Sequence, residues 1–216
     1  MMGGKVIPNA RPVLKDQVDT VIQSIKAAMP CGIAAFIIGS AGKKPVSSDI
    51  DVLVDETDVI TILSNDNAKH ALHQYFTNLG LTSVISGAGV HVGVKVLDSV
   101  VQVDFMCVKN AREIANLHTH DYSKDPTQTG GQIHRMLADL ISAAPGFPNR
   151  TLMISPYKGL VFRDTKELIT TDKSKIAQIL FGPLATEQDI SSVSAIKNQI
   201  SLNPHYTDIY KKYFYD

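Results

Sequence analysis

The sequence predicts a mixed α/β (α+β) fold, in which helices flank a mixed β-sheet and a small C-terminal subdomain of a hairpin and helices follows. Segments with helical and strand periods alternate along the first two thirds of the chain. Pro145-Gly146-Phe147-Pro148 is the strongest break, and short strands and helices follow it. The predicted domains are therefore residues 1–145 and 146–216.

The first elements follow from the spacing of their apolar residues. Residues 14–28 carry apolar side chains at helical spacing, and Pro30 ends the predicted helix. Residues 33–38 form a continuous apolar run, typical of a strand buried on both faces. Apolar and polar residues alternate over 50–54, which predicts a strand, and residues 66–80 have the period of a second helix.

The remaining elements complete the α/β pattern. Strands are predicted over 81–85, 90–97 and 100–108, with a tight turn at Asp98-Ser99 joining the last two. The later elements are helical segments at both ends of 111–144 around a polar break at 121–131, strands at 152–154 and 158–162, and helices at 176–181 and 189–200. The polar break is the segment that we expect to be mobile.

Composition excludes some classes of protein. The 216 residues are 44% hydrophobic, which argues against intrinsic disorder, and 21 basic and 21 acidic side chains cancel to a formal net charge of zero. A polybasic nucleic-acid binder is excluded, so any affinity for nucleic acid must come from a local patch.

The cysteines and the longest apolar stretch indicate the compartment. Cys31 and Cys107 lie within apolar runs, as reduced thiols do. The longest apolar stretch, residues 27–39, is interrupted by Pro30 and Gly32 and is shorter than the roughly 20 residues that span a bilayer. Residues 1–5 carry one positive charge and no sufficiently long apolar stretch follows, so we expect no export signal. We therefore expect a cytoplasmic protein without a membrane-spanning segment.

One group of residues stands out chemically. Gly39-Ser40 is followed after eight residues by Asp49-Ile50-Asp51 at the start of a strand. Residues i and i+2 of a strand project to the same face, so the two carboxylates lie together and repel each other. Unless they share a cation, one of them is driven towards protonation. Hard oxygen ligands in this arrangement suit Mg²⁺, which accepts one or two carboxylates together with substrate phosphates.

Asp104 adds a third carboxylate inside a later strand, where an unpaired charge is costly. If the two strands are neighbours, the three aspartates can hold two Mg²⁺ ions, with Mn²⁺ as a possible substitute. Two such metals activate an attacking oxygen and stabilise a leaving one, so the reaction class is phosphoryl or nucleotidyl transfer.

The Gly39-Ser40 turn suits a triphosphate. Glycine allows the backbone to approach a ligand closely, and the serine hydroxyl and nearby N–H groups can donate to phosphate oxygens. Lys43 and Lys44 can neutralise charge on the leaving pyrophosphate. Ser48 completes the candidate nucleotide-binding residues.

Together, Gly39-Ser40, Asp49-Ile50-Asp51 and Asp104 resemble the signature of the polymerase-beta-like nucleotidyltransferase superfamily, and residues 39–55 look most like its family X DNA polymerases. Residues 70–96 and 152–169 are similar to later parts of that family's palm and to the hairpin that follows it. The resemblance covers roughly residues 14–180 and implies a nucleotidyltransferase palm with a partial thumb.

What the resemblance implies for the residues is specific. Asp49, Asp51 and Asp104 would be the metal ligands, with Asp104 nearest the attacking hydroxyl. Gly39, Ser40 and Lys43 match positions that contact the triphosphate. Nothing upstream corresponds to that family's lyase domain or DNA-gripping module.

The leading functional hypothesis is a Mg²⁺-dependent nucleotidyltransferase that moves a nucleoside monophosphate from an NTP or dNTP onto a hydroxyl, with a DNA or RNA 3′ end as the favoured acceptor. Zero net charge and the missing DNA-gripping modules keep a second acceptor class open, a small molecule or a protein side chain. A third hypothesis is a nucleotide-binding module without turnover. The sequence leaves the base preference and the oligomeric state open.

Overall fold

The computed structural model describes residues 6–87, 89–123, 125–147 and 151–214. Within these ranges, no helix has the length and apolar character required to cross a bilayer.

Contacts divide the chain into two compact units, Met1–Ala115 and Asn116–Asp216. The division falls before the predicted boundary at 145/146, because apolar residues of 117–144 share a core with residues beyond 150. Whether 1–145 and 146–216 act as separate functional domains stays a prediction. Pro148, part of the predicted break, lies outside the described residues.

The first unit contains a mixed sheet and helices. Its strands are β1 (Val13–Leu14), β2 (Ala35–Ile38), β3 (Val46–Ser47), β4 (Ile50–Asp55), β5 (Thr82–Ser86), β6 (Gly89–Val96) and β7 (Ser99–Val108). Its helices are α1 (Val18–Ala28), α2 (Glu56–Leu63), α3 (Ala68–Asn78) and most of α4 (Ala111–Leu117), whose last two residues belong to the second unit.

The main sheet has the strand order β2-β4-β7-β6-β5. Strands β4 and β7 are parallel, whereas the other neighbouring pairs are antiparallel. The predicted α/β class with a mixed sheet flanked by helices is therefore confirmed.

One face of this sheet forms the core of the first unit. Ile50, Val52 and Val54 of β4 are fully buried, and they pack with Val103 and Phe105 of β7. Buried residues of α1, α2 and α3 belong to the same cluster. Because side chains alternate between the faces of a strand, the polar residues at the intervening positions lie on the opposite face of the sheet.

The second unit has its own core. Its elements are α5 (Gly130–Ser142), β8 (Leu152–Ser155), β9 (Gly159–Phe162), β10 (Leu168–Thr170), α6 (Lys173–Phe181), α7 (Val193–Leu202) and α8 (Thr207–Phe214). The strands pair in the order β10-β9-β8. Buried Tyr206 donates a hydrogen bond to the carbonyl oxygen of Leu180 at 2.8 Å, so the C-terminal aromatic segment docks on the core of this unit.

Two local predictions were wrong, and one helix was not predicted. The first helix begins at Val18, because residues 13–14 pair as β1 with β3. The sequence interpretation missed α2, which Asp55 caps by accepting a hydrogen bond from the backbone N–H of Thr57 at 2.9 Å. The turn between β6 and β7 lies at Leu97-Asp98, one residue before the predicted Asp98-Ser99 turn.

Candidate functional site

A row of polar side chains crosses the centre of the sheet. Asp51 of β4 and Asp104 of β7 are register partners on adjacent parallel strands. Asp104 is in turn the register partner of His91 on antiparallel β6. Register partners project to the same face, so the three side chains form a continuous row on the face opposite the apolar core.

The turn after β2 lies directly against this row. Gly39 has a φ of +73°, a backbone conformation that L-residues other than glycine rarely adopt. A Cβ atom at this position would be 2.8 Å from Oδ2 of Asp51. Glycine is therefore required twice here, for the backbone conformation and for the space that the carboxylate occupies.

The remainder of the predicted phosphate loop folds as a series of turns. The carbonyl oxygen of Ser40 accepts hydrogen bonds from the backbone N–H groups of Lys43 and Lys44, at 3.0 and 3.1 Å. The Ser40 and Ser47 hydroxyls are 3.1 Å apart and share a hydrogen bond. Partial burial lowers the pKa of the Lys43 amine. The loop thus carries the Ser40 hydroxyl directly after Gly39 and turns back at Lys43 and Lys44.

Asp49 lies just before β4 and is half-buried. The hydroxyl of Ser48 donates a hydrogen bond to its Oδ1 at 2.9 Å. Burial raises the pKa of Asp49, the Ser48 hydrogen bond opposes this, the charge of Asp104 raises it further and His91 lowers it. Asp49 is therefore electrostatically coupled to the row.

The surroundings of Asp51 disfavour its ionised form. Burial raises its pKa to about 7, and the charges of Asp49 and Asp104 act in the same direction. The three predicted aspartates are therefore close enough to influence one another. In the absence of a cation, ionisation of Asp51 is therefore unfavourable.

Asp104 is fully buried, and its two oxygens differ in their hydrogen bonds. Oδ1 accepts hydrogen bonds from Nδ1 of His91 at 2.7 Å and from Nε2 of Gln102 at 2.9 Å. Among the described residues, buried Oδ2 has no hydrogen-bond partner. Sequence reasoning missed His91 and Gln102. Polar residues at alternate positions of apolar strands were a signal, but only the correct β6–β7 register identifies His91 as the partner.

The chemistry of these residues fits a divalent cation. Carboxylate oxygens are the ligands that Mg²⁺ prefers, and a buried oxygen without a donor suits a cation. Within the described part of the chain, no group of three or more His, Cys, Asp and Glu side chains forms a metal site as it stands. Mg²⁺ usually takes one or two carboxylates and completes its shell with water and substrate phosphates, so the donor set remains appropriate.

The contact between Gly39 and Asp51 makes a testable prediction. Gly39→Ala is expected to lower the free energy of unfolding by about 1–3 kcal/mol, because alanine disfavours this φ and its methyl group would clash with the Asp51 carboxylate. Thermal unfolding followed by circular dichroism measures the loss.

A matched control separates the two causes. Gly80 has a φ of +77°, and a Cβ atom added there would have no described atom within 4 Å. Gly80→Ala thus carries the backbone strain alone and should destabilise less. In an Asp51→Ala background the two glycine substitutions should have nearly equal effects. A difference that persists in that background would contradict the assigned contact.

No protein-family model matches the chain, and no curated protein sequence matches it.

Proposed function

We propose that the protein is a Mg²⁺-dependent nucleotidyltransferase that transfers a nucleoside monophosphate from an NTP or dNTP to a hydroxyl, with a nucleic-acid 3′ end as the acceptor. The observation that carries the proposal is the pairing of Asp51 and Asp104 on adjacent strands, with the Gly39 turn against Asp51. The resemblance to the polymerase-beta-like nucleotidyltransferases supports it.

Each group has a proposed part in the reaction. The acceptor hydroxyl releases its proton to solvent water and its oxygen forms a bond to the α-phosphorus, while the bond between that phosphorus and the bridging oxygen breaks and pyrophosphate leaves. Asp104 is the carboxylate proposed to lie nearest the acceptor. The Gly39-Ser40 turn binds the triphosphate, and Lys43 and Lys44 offset the negative charge of the leaving pyrophosphate.

Asp49, Asp51 and Asp104 are the residues that would hold the divalent ions. Mg²⁺ bound there would supply Lewis acidity and neutralise charge on the phosphates. Without it, the three carboxylates repel a triphosphate, because all of these groups are negative.

Direct assay of transfer tests the proposal. The protein is incubated with labelled NTPs and dNTPs, Mg²⁺ and one of three acceptors: a DNA primer, an RNA primer or a hydroxyl-bearing small molecule. We expect an extended nucleic-acid product and release of pyrophosphate. Transfer to the small molecule or to the protein itself, without tight and salt-sensitive primer binding, would replace the nucleic-acid acceptor. Absence of transfer to every acceptor would overturn the proposal.

The metal requirement gives a separate prediction at the binding step. We expect the affinity for a non-hydrolysable nucleoside triphosphate, measured by calorimetry, to fall at least about tenfold when EDTA replaces Mg²⁺, because the carboxylates then repel the phosphates. A triphosphate affinity that is unchanged by EDTA would favour a nucleotide-binding module without turnover.

A further inference from the structure

The hydrogen bonds of Asp104 are distributed unevenly between its two oxygens. His91 and Gln102 both donate to Oδ1. Oδ2 is equally buried but accepts no hydrogen bond from the part of the chain that the structure describes. A buried acceptor without a hydrogen bond is unfavourable, and more so when it is charged. A cation facing Oδ2 would offset this cost.

The orientation of the Gln102 amide is fixed by chemistry. Its Oε1 accepts hydrogen bonds from the backbone N–H groups of Val6 and Ile7, at 2.9 and 3.0 Å. Backbone N–H groups only donate, so the carbonyl oxygen of the side chain must face them. The amide nitrogen is then directed to Oδ1 of Asp104. The segment at residues 6–7 thereby sets which group Gln102 offers to the aspartate.

His91 is also held at both ends of its ring. Nδ1 donates to Oδ1 of Asp104, and Nε2 lies 3.3 Å from the carbonyl oxygen of Ser86. Asp104 and the carbonyl group of Ser86 both present oxygen atoms, so each ring nitrogen faces an oxygen and the ring is held in one orientation. Only 4% of His91 is exposed, and its position opposite Asp104 in the β6–β7 register leaves the ring little freedom.

We propose that His91 and Gln102 are positioning residues that together occupy Oδ1 of Asp104, so that the carboxylate presents Oδ2 alone to a bound divalent cation. The proposal rests on the proposed nucleotidyl transfer. Neither residue is assigned a contact with the nucleotide or with the acceptor. Their effect is to select one oxygen and one orientation of Asp104 before the cation and substrate arrive, as partners of metal-binding carboxylates do.

Substitutions of His91 separate positioning from packing. In His91→Asn, the amide nitrogen lies close to where Nδ1 lies in histidine, so the donor to Asp104 is kept and the bond to Ser86 is lost. In His91→Leu the donor is removed and an apolar side chain fills the buried volume. If His91 serves only to fill the core, leucine should be tolerated at least as well as asparagine.

The probe is Mn²⁺ alone, with the free ion followed by electron paramagnetic resonance, alongside the transfer assay. We expect His91→Leu to weaken Mn²⁺ affinity by roughly 10–100-fold and to lower kcat to a similar extent. At saturating metal, KM for the nucleotide should change by less than about threefold, because the cation is then bound and the substitution acts on the chemical step. His91→Asn should recover most of both losses.

Two further variants complete the experiment. Gln102→Met removes the other donor at nearly constant length, together with the acceptor for the backbone N–H groups of Val6 and Ile7. It should lower Mn²⁺ affinity and kcat in the same direction as His91→Leu. The matched control is His73→Asn on α3, whose ring shares a hydrogen bond with Ser83 outside the Asp104 network. It should retain the affinity and kcat of the wild type.

The outcomes distinguish a failure of the proposed function from a failure of the positioning proposal. Wild-type protein that neither binds Mn²⁺ nor transfers nucleotide would overturn the proposed function, and the positioning proposal with it. An active wild type with unchanged affinity and kcat in both His91→Leu and Gln102→Met would overturn positioning alone. Equal losses in His91→Leu and His91→Asn would also overturn it, because they would indicate packing.

Discussion

Replacement of Asp51 by alanine is expected to reduce nucleotidyl transfer by on the order of 10³-fold or more, which corresponds to about 4 kcal/mol of lost transition-state stabilisation. Asp51 lies at the centre of the site, since its register partner is Asp104, its Oδ2 is next to Gly39 and its charge is coupled to that of Asp49. Its loss should therefore affect the bound cation and the triphosphate together. Initial rates with labelled nucleotide and a primer measure the effect.

The matched control for this variant is on the same strand. Asp55 lies on the same face of β4, but it caps α2. Asp55→Asn keeps an acceptor for the cap and should retain activity within a few-fold. Transfer by Asp51→Ala at the wild-type rate would exclude Asp51 from the reaction. A similar large loss in Asp55→Asn would show that the assay reports general damage to the sheet.

The second large effect is a gain in stability on substitution of the same residue. In EDTA above pH 7, Asp51→Asn is expected to be more stable than the wild type by about 1–4 kcal/mol. Burial and two neighbouring carboxylates raise the pKa of Asp51 to about 7 in the folded protein, from the ordinary value of 3.8. The folded state therefore binds the proton more tightly than the unfolded state does.

The sign of the pH dependence follows from this difference. Between about pH 4 and pH 7 the folded state retains a proton that the unfolded state has lost, so wild-type stability falls as pH rises and the full penalty is present above pH 7. Asparagine removes that penalty, and its advantage should shrink to nearly zero towards pH 4. Thermal unfolding at several pH values measures this stability difference, and each kcal/mol corresponds to a shift of about 2–4 °C in melting temperature.

An exposed carboxylate provides the control for stability. Asp98 lies in the β6–β7 turn, and Asp98→Asn should change the melting temperature by less than about 2 °C across the same pH range. Addition of Mg²⁺ should stabilise the wild type more than Asp51→Asn, because a bound cation removes the reason for the penalty. Equal stability of Asp51→Asn and the wild type from pH 5 to pH 9 would contradict the burial of an ionised Asp51.

Periodicity predicted the fold class well, because apolar residues at regular spacing report which face of an element is buried. The strands around Asp51 and Asp104 were recognised in this way. Helix α2 was missed because Glu56–Leu63 is short and follows β4 directly. Strand β10 was missed because its three residues are defined by pairing with β9, which is a tertiary contact and leaves little local pattern.

The candidate site was predictable where strand geometry alone places side chains. The i, i+2 relation of Asp49 and Asp51 is a local property, whereas the partner of Asp104 depends on strand register. A turn at Asp98-Ser99 would have placed Gly93 opposite Asp104. The observed turn includes Leu97 at a φ of +54°, an unfavourable conformation for leucine that no propensity favours, and it brings His91 there instead.

The length of the β6–β7 hairpin therefore has a chemical consequence. Inserting or deleting a single residue at Leu97-Asp98 would shift the pairing by one position and exchange the faces of β6, so that a valine would replace the imidazole beside Asp104. The candidate site would therefore be intolerant of insertions and deletions in an exposed loop, even where conservative substitution along these strands is tolerated. Selection on this loop would then preserve its spacing far more strictly than its residue identities.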